Sequence, residues 1–191
     1  MDYVSISISL VSLAISLGTF WLTSLRRGRL AMTNPTIVFF GWDFEPKATP
    51  KVFIRTLLFS TASRGQFVEG LYATIRGPSD ERTFGFWGHG PTKELMAGSG
   101  LYVDRTGYSA NHHFVLSVHE DPYAFKPGNY EIDVIANVVG RSKPRKLSTI
   151  KLRLSEELAD ALAKNDGVMF ERRSNGQFEG HTQQKLRPRL S

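Results

Sequence analysis

Histidine is the side chain of this sequence best suited to hold a metal ion, and five are present: His89, His112, His113, His119 and His181. His112 and His113 are neighbours, so on a strand their side chains point to opposite faces and do not chelate one ion together. Neither a His-x-His nor a Glu-x-x-His spacing is present, and there is no cysteine for a zinc–thiolate site. We therefore expect structural or surface roles for the histidines and no bound metal.

Motifs for covalent or cofactor-dependent catalysis are missing from the sequence. A Gly-x-Ser-x-Gly nucleophile elbow does not occur, and the absence of cysteine excludes a thiol nucleophile. Gly98-x-Gly100 lacks the third glycine and the strand-to-helix context of a dinucleotide-binding turn. The sequence thus predicts a protein that is not an enzyme and binds no cofactor.

The segment from Phe84 to Gly100 combines aromatic residues with glycines. Glycine permits close approach and aromatic rings offer stacking area, a combination that suits a ligand groove. The candidate groove residues are Phe84, Phe86, Trp87 and His89. The alternative is an irregular edge strand whose aromatic side chains cover the core.

A basic ridge follows further along the chain, without an acid among its charges. Alternate positions of a hairpin share a face, so such a ridge could contact anionic lipid at about 1 kcal/mol per cation. It could equally bind an acidic protein or nucleic-acid phosphates, or simply keep an edge hairpin soluble. The candidate residues are Arg141, Lys143, Arg145, Lys146, Lys151 and Arg153.

The elements that must position these residues begin with an uncharged N-terminal run from Tyr3 to Leu25. As a helix it would be about 34 Å long, and the hydrocarbon core of a bilayer is about 30 Å thick. The sequence therefore predicts a transmembrane helix, and a continuation of the helix to about Met32, before Asn34-Pro35 stops it.

Charges flank this run asymmetrically. Arg26, Arg27 and Arg29 follow it, whereas only Asp2 and the start amine precede it. Because basic flanks stay in the cytoplasm, we predict a single-pass inner (plasma) membrane protein with its N-terminus outside and its C-terminal domain in the cytoplasm. The alternative is a signal peptide cleaved near Ser16, although the positive N-terminal region of such a peptide is missing.

Hydroxyl residues follow a heptad spacing along one face of the predicted span. Small hydroxyl side chains let helices approach closely and bond across the interface, so the span could pair with itself or with another span. The alternative is that each hydroxyl bonds back to its own helix. The candidate pairing face consists of Ser5, Ser9, Ser12, Ser16, Thr19 and Thr23.

The remainder of the 191-residue chain is rich in aromatic residues (12%) and glycine, and shows short apolar runs broken by turn residues. Seven or eight such runs at this spacing predict a mainly β protein with an antiparallel sandwich. A short helix from Ser155 to Lys164 and a hairpin around a type I′ turn at Asn175-Gly176 follow. The predicted strands are Thr36–Phe40, Lys51–Ser60, Phe67–Arg76, Thr83–Trp87, Leu101–Val103, His113–Val118, Tyr130–Ala136 and Lys146–Leu154.

The stretch from Phe125 to Ala136 has a Pro127-Gly128 turn, then Tyr130 and alternating apolar residues. It resembles the penultimate strand of immunoglobulin-like and fibronectin-III-like domains, whereas the Cys-Trp-Cys framework of antibody domains is absent. The whole chain is similar to uncharacterised bacterial single-pass membrane proteins that join an anchor to such a sandwich. The resemblance implies an immunoglobulin-like β-sandwich and no particular activity.

These observations divide the chain into a transmembrane helix (1–25), a basic juxtamembrane linker (26–34), a β-sandwich (35–154), a short helix with a terminal hairpin (155–181) and a disordered basic tail (182–191). The net charge of +6 suits an anionic partner, of which the nearest is the bilayer itself. We expect a protein partner or self-association through the span as well, and no nucleic-acid partner.

The leading hypothesis is a non-enzymatic interaction module tethered to the cytoplasmic face of the inner membrane. One alternative is a ligand-binding or hydrolytic domain that uses the segment 84–100. The other is an extracytoplasmic carbohydrate-binding sandwich, which requires the reverse topology.

Overall fold

The N-terminal helix differs from the rest of the molecule because its residues are exposed. The α-helix α1 covers Tyr3–Phe20 and continues as a π-helical turn over Trp21–Leu25. None of the residues of α1 is buried. The computed structural model describes residues 3–25, 28–43, 48–62, 64–89, 95–98, 100–117, 119–121 and 123–183.

Twelve strands and one short helix make up the described part of the domain that follows. All strand pairs among the described residues are antiparallel, as the turn-punctuated sequence predicts. The helix α2 covers Glu156–Ala163. The strands are β1 Leu30–Met32, β2 Ile37–Asp43, β3 Thr49–Ser60, β4 Gln66–Arg76, β5 Glu81–His89, β6 Leu95–Ala97, β7 Leu101–Val103, β8 Tyr108–Val115, β9 Gly128–Val138, β10 Arg145–Leu154, β11 Gly167–Arg172 and β12 Phe178–Gln183.

The strands form one hydrogen-bonded sheet in the order β10-β9-β4-β5-β8-β3-β2-β11-β12, with β1 on β3, β6 on β5 and β7 on β4. This sheet is not flat. Five strand spacings separate β2 from β9, about 24 Å in a flat sheet, yet the rings of Phe40 and Tyr130 lie 5.4 Å apart. The sheet is therefore rolled over one core, and β10 and β12, the two ends of the order, approach each other. The prediction of a mainly β, antiparallel, sandwich-like domain is confirmed.

Aromatic side chains fill the middle of the core. The ring of Phe125 stacks on Phe40 at 4.9 Å and meets Tyr123 edge-on at 5.1 Å. The phenol of Tyr130 donates to the Lys126 carbonyl at 2.7 Å, as the tyrosine corner of sandwich domains does. Burial raises the pKa of Tyr130 to about 12, so its hydroxyl remains a donor at physiological pH.

The helix α2 closes one side of the core. Ser155 caps it by accepting a hydrogen bond from the Leu158 amide at 3.3 Å. Its buried residues Leu158, Ala159 and Leu162 face the sheet. The indole of Trp42 donates to the Leu162 carbonyl at 2.9 Å, which ties the helix to β2.

The structure corrects several boundaries. The predicted helical continuation to Met32 is wrong, because Leu30–Met32 is strand β1 and Leu30 is buried against the core, so the sheet begins inside the predicted linker. Thr182 and Gln183 belong to β12, not to a disordered tail. Residues 184–191 lie outside the described residues, as do Arg26 and Arg27.

Two turns also differ from prediction. The strand β2 continues past Gly41 to Asp43, because Gly41 pairs with Lys51 and Asp43 with Thr49 on β3. The ring of Phe39 lies over the glycine, where a β-carbon would meet it at 2.5 Å. The turn at Asn175-Gly176 is not type I′, since only Gly176 has a positive φ (84°). The Gly176 amide donates to the Arg173 carbonyl at 2.9 Å, which makes a type I turn followed by a glycine bulge.

Candidate functional site

The chain enters the domain at a point that we call the anchor end, where Gly28 and Arg29 meet the loop after β3. The Arg29 amide donates to the Thr61 hydroxyl at 2.8 Å, and the Thr61 amide donates to the Arg29 carbonyl at 3.0 Å. A β-carbon on Gly28 would lie 2.6 Å from the Ala62 side chain, so glycine is what lets the two segments touch. The domain is thus fixed to the chain only three residues after Leu25.

Arginines converge at the anchor end. The Arg141 guanidinium donates to the Gly28 carbonyl at 3.2 Å. Partial burial lowers the pKa of Arg145, and the positive charges of Arg29 and Arg141 lower it further, so both lie within electrostatic reach of Arg145. Among the described residues, none of these three arginines, nor Arg64, forms an ion pair.

Exposed apolar side chains gather at the same end. Outside residues 3–25, the large hydrophobic side chains exposed in the described part of the chain are Phe67, Tyr102, Tyr108 and Val139. Tyr108 pairs with Leu58, two residues before the end of β3, and the other three lie on β4, β7 and the turn after β9. Scattered exposed hydrophobic residues are ordinary, whereas their collection at one end makes that end a candidate interaction surface.

An open groove of about 660 Å³ is lined by Phe67, Tyr102 and Val139, but not by Tyr108. The rings of Phe67 and Tyr102 form one wall, with centroids 5.0 Å apart. Gly65 lies under the Tyr102 ring, where a β-carbon would meet it at 2.4 Å. Arg64 and Arg141 line the same groove, so it offers guanidinium groups beside aromatic area.

The predicted basic ridge is divided by the structure. Lys146 pairs with Asp133 at 3.1 Å and Lys151 pairs with Glu131 at 3.3 Å, so acids of the adjacent strand β9 neutralise two of its six cations. Arg153 and Lys143 are exposed and form no ion pair among the described residues. Arg145 and Arg141 belong to the anchor end.

The two acids are held by a wider network on the outer face of β4, β9 and β10. Arg76 reaches Glu131 at 2.6 Å and Asp133 at 2.5 Å, and the Thr149 hydroxyl donates to Asp133 at 2.5 Å. Burial alone would raise the pKa of Asp133, but the hydrogen bonds from Thr149, Arg76 and Lys146 outweigh it and the pKa is lowered. Hydrogen bonds from Arg76 and Lys151 lower the pKa of Glu131. This network fixes three strands to one another.

Two of the four candidate groove residues, Phe84 and Phe86, are not exposed to line a groove. Phe84 and Phe86 are buried in the core, and Trp87 is half-buried on the opposite face of the strand. The side chain of His89 lies outside the described part of the chain. Alternation along β5 therefore separates the aromatic residues, and Phe84 and Phe86 serve the core, as the alternative interpretation of this segment predicts.

The histidines are distributed through the fold. His112 is 1% exposed and neither ring nitrogen has a hydrogen-bond partner among the described residues. Burial lowers the pKa of His112, and the nearby Thr56 backbone has a smaller, opposing effect. His113 is buried on the opposite face, beside Phe53, and His119 and His181 are exposed. Within the described residues, no three His, Asp or Glu residues are grouped to hold a metal ion.

Four of the six hydroxyls of the predicted pairing face bond back along α1. Ser9 donates to the Ser5 carbonyl at 2.9 Å and Ser16 donates to the Ser12 carbonyl at 2.9 Å. Thr19 and Thr23 donate to Ile15 and Thr19 carbonyls at 2.8 Å. Each oxygen retains its capacity to accept a hydrogen bond, so pairing of the span stays a prediction.

The groove at the anchor end was not foreseen from the sequence. Its residues come from β4, β7 and two turns, and nothing in their local spacing connects them. One signal was available in the sequence. Val139 lies between Val138 and the turn residue Gly140, at a position where a solvent-exposed turn ordinarily carries a polar side chain.

No protein-family model matches the chain, and neither a search of curated proteins nor a search of solved structures gave a match. Function therefore follows from the geometry of this molecule alone.

Proposed function

We propose that this protein is a non-enzymatic interaction module tethered by α1 to the cytoplasmic face of the inner membrane. The observation that supports it is a helix, Tyr3–Thr23, that is long and apolar enough to cross a bilayer and buries none of its surface against the domain. Its 21 residues extend about 31 Å, the thickness of the hydrocarbon core. A signal sequence passes the same test of length and composition, so processing and topology must be measured.

The orientation is supported by charge. Arg26, Arg27 and Arg29 follow the span in sequence, and Arg29 joins further arginines at the anchor end. Cations next to a span are retained in the cytoplasm. The assignment as an interaction module is supported by the aromatic surface at the anchor end and by the burial of Phe84 and Phe86, two of the four candidate groove residues.

Paired C-terminal reporters test the topology. A fluorescent protein that folds only in the cytoplasm should be bright, and an alkaline phosphatase that folds only outside should be inactive. The full chain should remain with membranes at alkaline pH, and its intact mass should show no cleavage near Ser16. An active phosphatase, or a chain shortened near Ser16, would overturn the proposal.

A further inference from the structure

We propose that the anchor end binds the anionic phosphate headgroups of the lipids that surround its own span. This inference rests on the proposed function, because it requires α1 to lie in the bilayer. The binding surface consists of Arg29, Arg64, Phe67, Tyr102, Val139 and Arg141.

The first argument is reach. Leu25 and Gly28 are three residues apart, so at most about 11 Å separates them. The headgroup layer of one leaflet is about 5–8 Å thick. A span that ends near Leu25 therefore keeps Gly28, and the Arg29–Thr61 contacts beside it, within the headgroup layer or at most about 6 Å beyond it.

The second argument is chemistry. Arginine binds phosphate through its planar fork, and aromatic rings favour the headgroup level, where one side is apolar and the other wet. The groove sets Arg64 and Arg141 beside the Phe67 and Tyr102 rings. Arg141 is held in place by the Gly28 carbonyl at 3.2 Å, and its remaining donors are free of ion pairs among the described residues.

The third argument is direction. The predicted basic ridge along β10 extends about 26 Å from Arg145 to Arg153, away from the anchor end. Electrostatic attraction to headgroups fades within a Debye length of about 8 Å. Lys146 and Lys151, which lie between, are already paired with acids. Lipid contact therefore belongs to the anchor end and not to the ridge as a whole.

The chain has no cysteine, so one introduced cysteine can carry a fluorophore at a chosen place. Ser142→Cys puts an environment-sensitive probe next to Arg141, and Ser79→Cys puts the same probe in the exposed turn after β4, at the far end of the domain. The full chain is reconstituted into nanodiscs of phosphatidylcholine alone or of phosphatidylcholine mixed with phosphatidylglycerol. We expect the Ser142 probe to shift to the blue and resist iodide quenching with phosphatidylglycerol, and the Ser79 probe to be the same in both lipids.

Charge variants identify the surface. Arg64→Gln should lower the ratio of docked to undocked domain about fivefold, with an unchanged thermal melt because the Arg64 side chain is exposed. Arg153→Gln makes the same charge change at the far end of β10 and should leave the ratio unchanged. If Arg153→Gln has as large an effect as Arg64→Gln, general charge and not this surface attracts the domain, and the proposal is wrong.

A further arm separates lipid from small phosphate. Glycerol phosphate added to phosphatidylcholine nanodiscs should leave the Ser142 probe unchanged; a shift equal to that with phosphatidylglycerol would mean a soluble phosphate site and overturn the lipid assignment. A chain that does not enter nanodiscs overturns both anchoring and docking. A chain that enters them but shows no lipid-dependent shift overturns docking alone.

Discussion

The Asp133 carboxylate is hydrogen-bonded by side chains of two neighbouring strands, and its side chain is only 6% exposed. It accepts hydrogen bonds from Arg76 on β4 and from Lys146 and Thr149 on β10. Removing such an acceptor leaves three donors without their partner on a sheet face that excludes most water. The residue therefore links the stability of β4, β9 and β10 to pH.

Asp133→Asn should lower the free energy of unfolding at pH 7 by about 2 kcal/mol. Because the folded pKa of Asp133 lies below its ordinary value, its contribution is complete above about pH 4 and is lost as the pH falls through the lower folded value. Urea melts between pH 7 and pH 3 should therefore fall less steeply for the variant than for the wild type. Asp160→Asn, an exposed carboxylate of α2, is the matched control and should change little.

His112 is buried in the core beside Phe86 and Tyr108, where a protonated ring is disfavoured. Its folded pKa is lowered, so the unfolded chain binds a proton that the folded chain does not, and stability falls as the pH drops below about 6.5. His112→Leu should remove this slope, which reaches about 1.4 kcal/mol per pH unit for one proton. Chemical denaturation at pH 7 and pH 5.5 measures it, with exposed His119→Leu as control; equal slopes in His112→Leu and wild type would refute the assignment.

At the scale of elements, the contact between Gly28 and the loop after β3 decides how β1 joins the domain. Gly28→Ala should lower the free energy of unfolding by about 1–3 kcal/mol, because its β-carbon would lie 2.6 Å from both Ala62 Cβ and the Ala62 amide nitrogen. Gly85→Ala on β5 is the control, since nothing lies within 4 Å of the added carbon. Thermal melts of the full chain in detergent compare the two, and equal melts would contradict the close contact.

Most elements were predictable because their signals are local. Leu101–Val103 has the predicted bounds, and the alternation in Tyr130–Ala136 identified most of strand β9. The strand Leu30–Met32 was not predictable, because three residues carry no period and only the ladder to Ser60, Phe59 and Leu58 makes them a strand. The same applies to the groove at the anchor end, whose residues meet only after the sheet is rolled.

At the scale of the whole molecule, the short connection between span and domain should control docking. A Gly-Ser linker of about ten residues inserted between Arg27 and Gly28 would have an end-to-end distance of about 18 Å and would dilute the domain over a larger volume. We expect the lipid-dependent shift of the Ser142 probe to weaken while membrane association stays complete. An undiminished shift would show that the short connection contributes nothing to docking.

The pairing of β2 with β11 has a consequence for biosynthesis. Ile37 pairs with Glu171, so the ladder cannot form until nearly all of the domain has left the ribosome. At about 5–20 residues per second, the interval between these two residues is about 7–27 s, during which strand edges stay open. If α1 inserts into the bilayer as proposed, the nascent chain spends that time confined to the membrane plane, apart from its neighbours, until β11 has been synthesised.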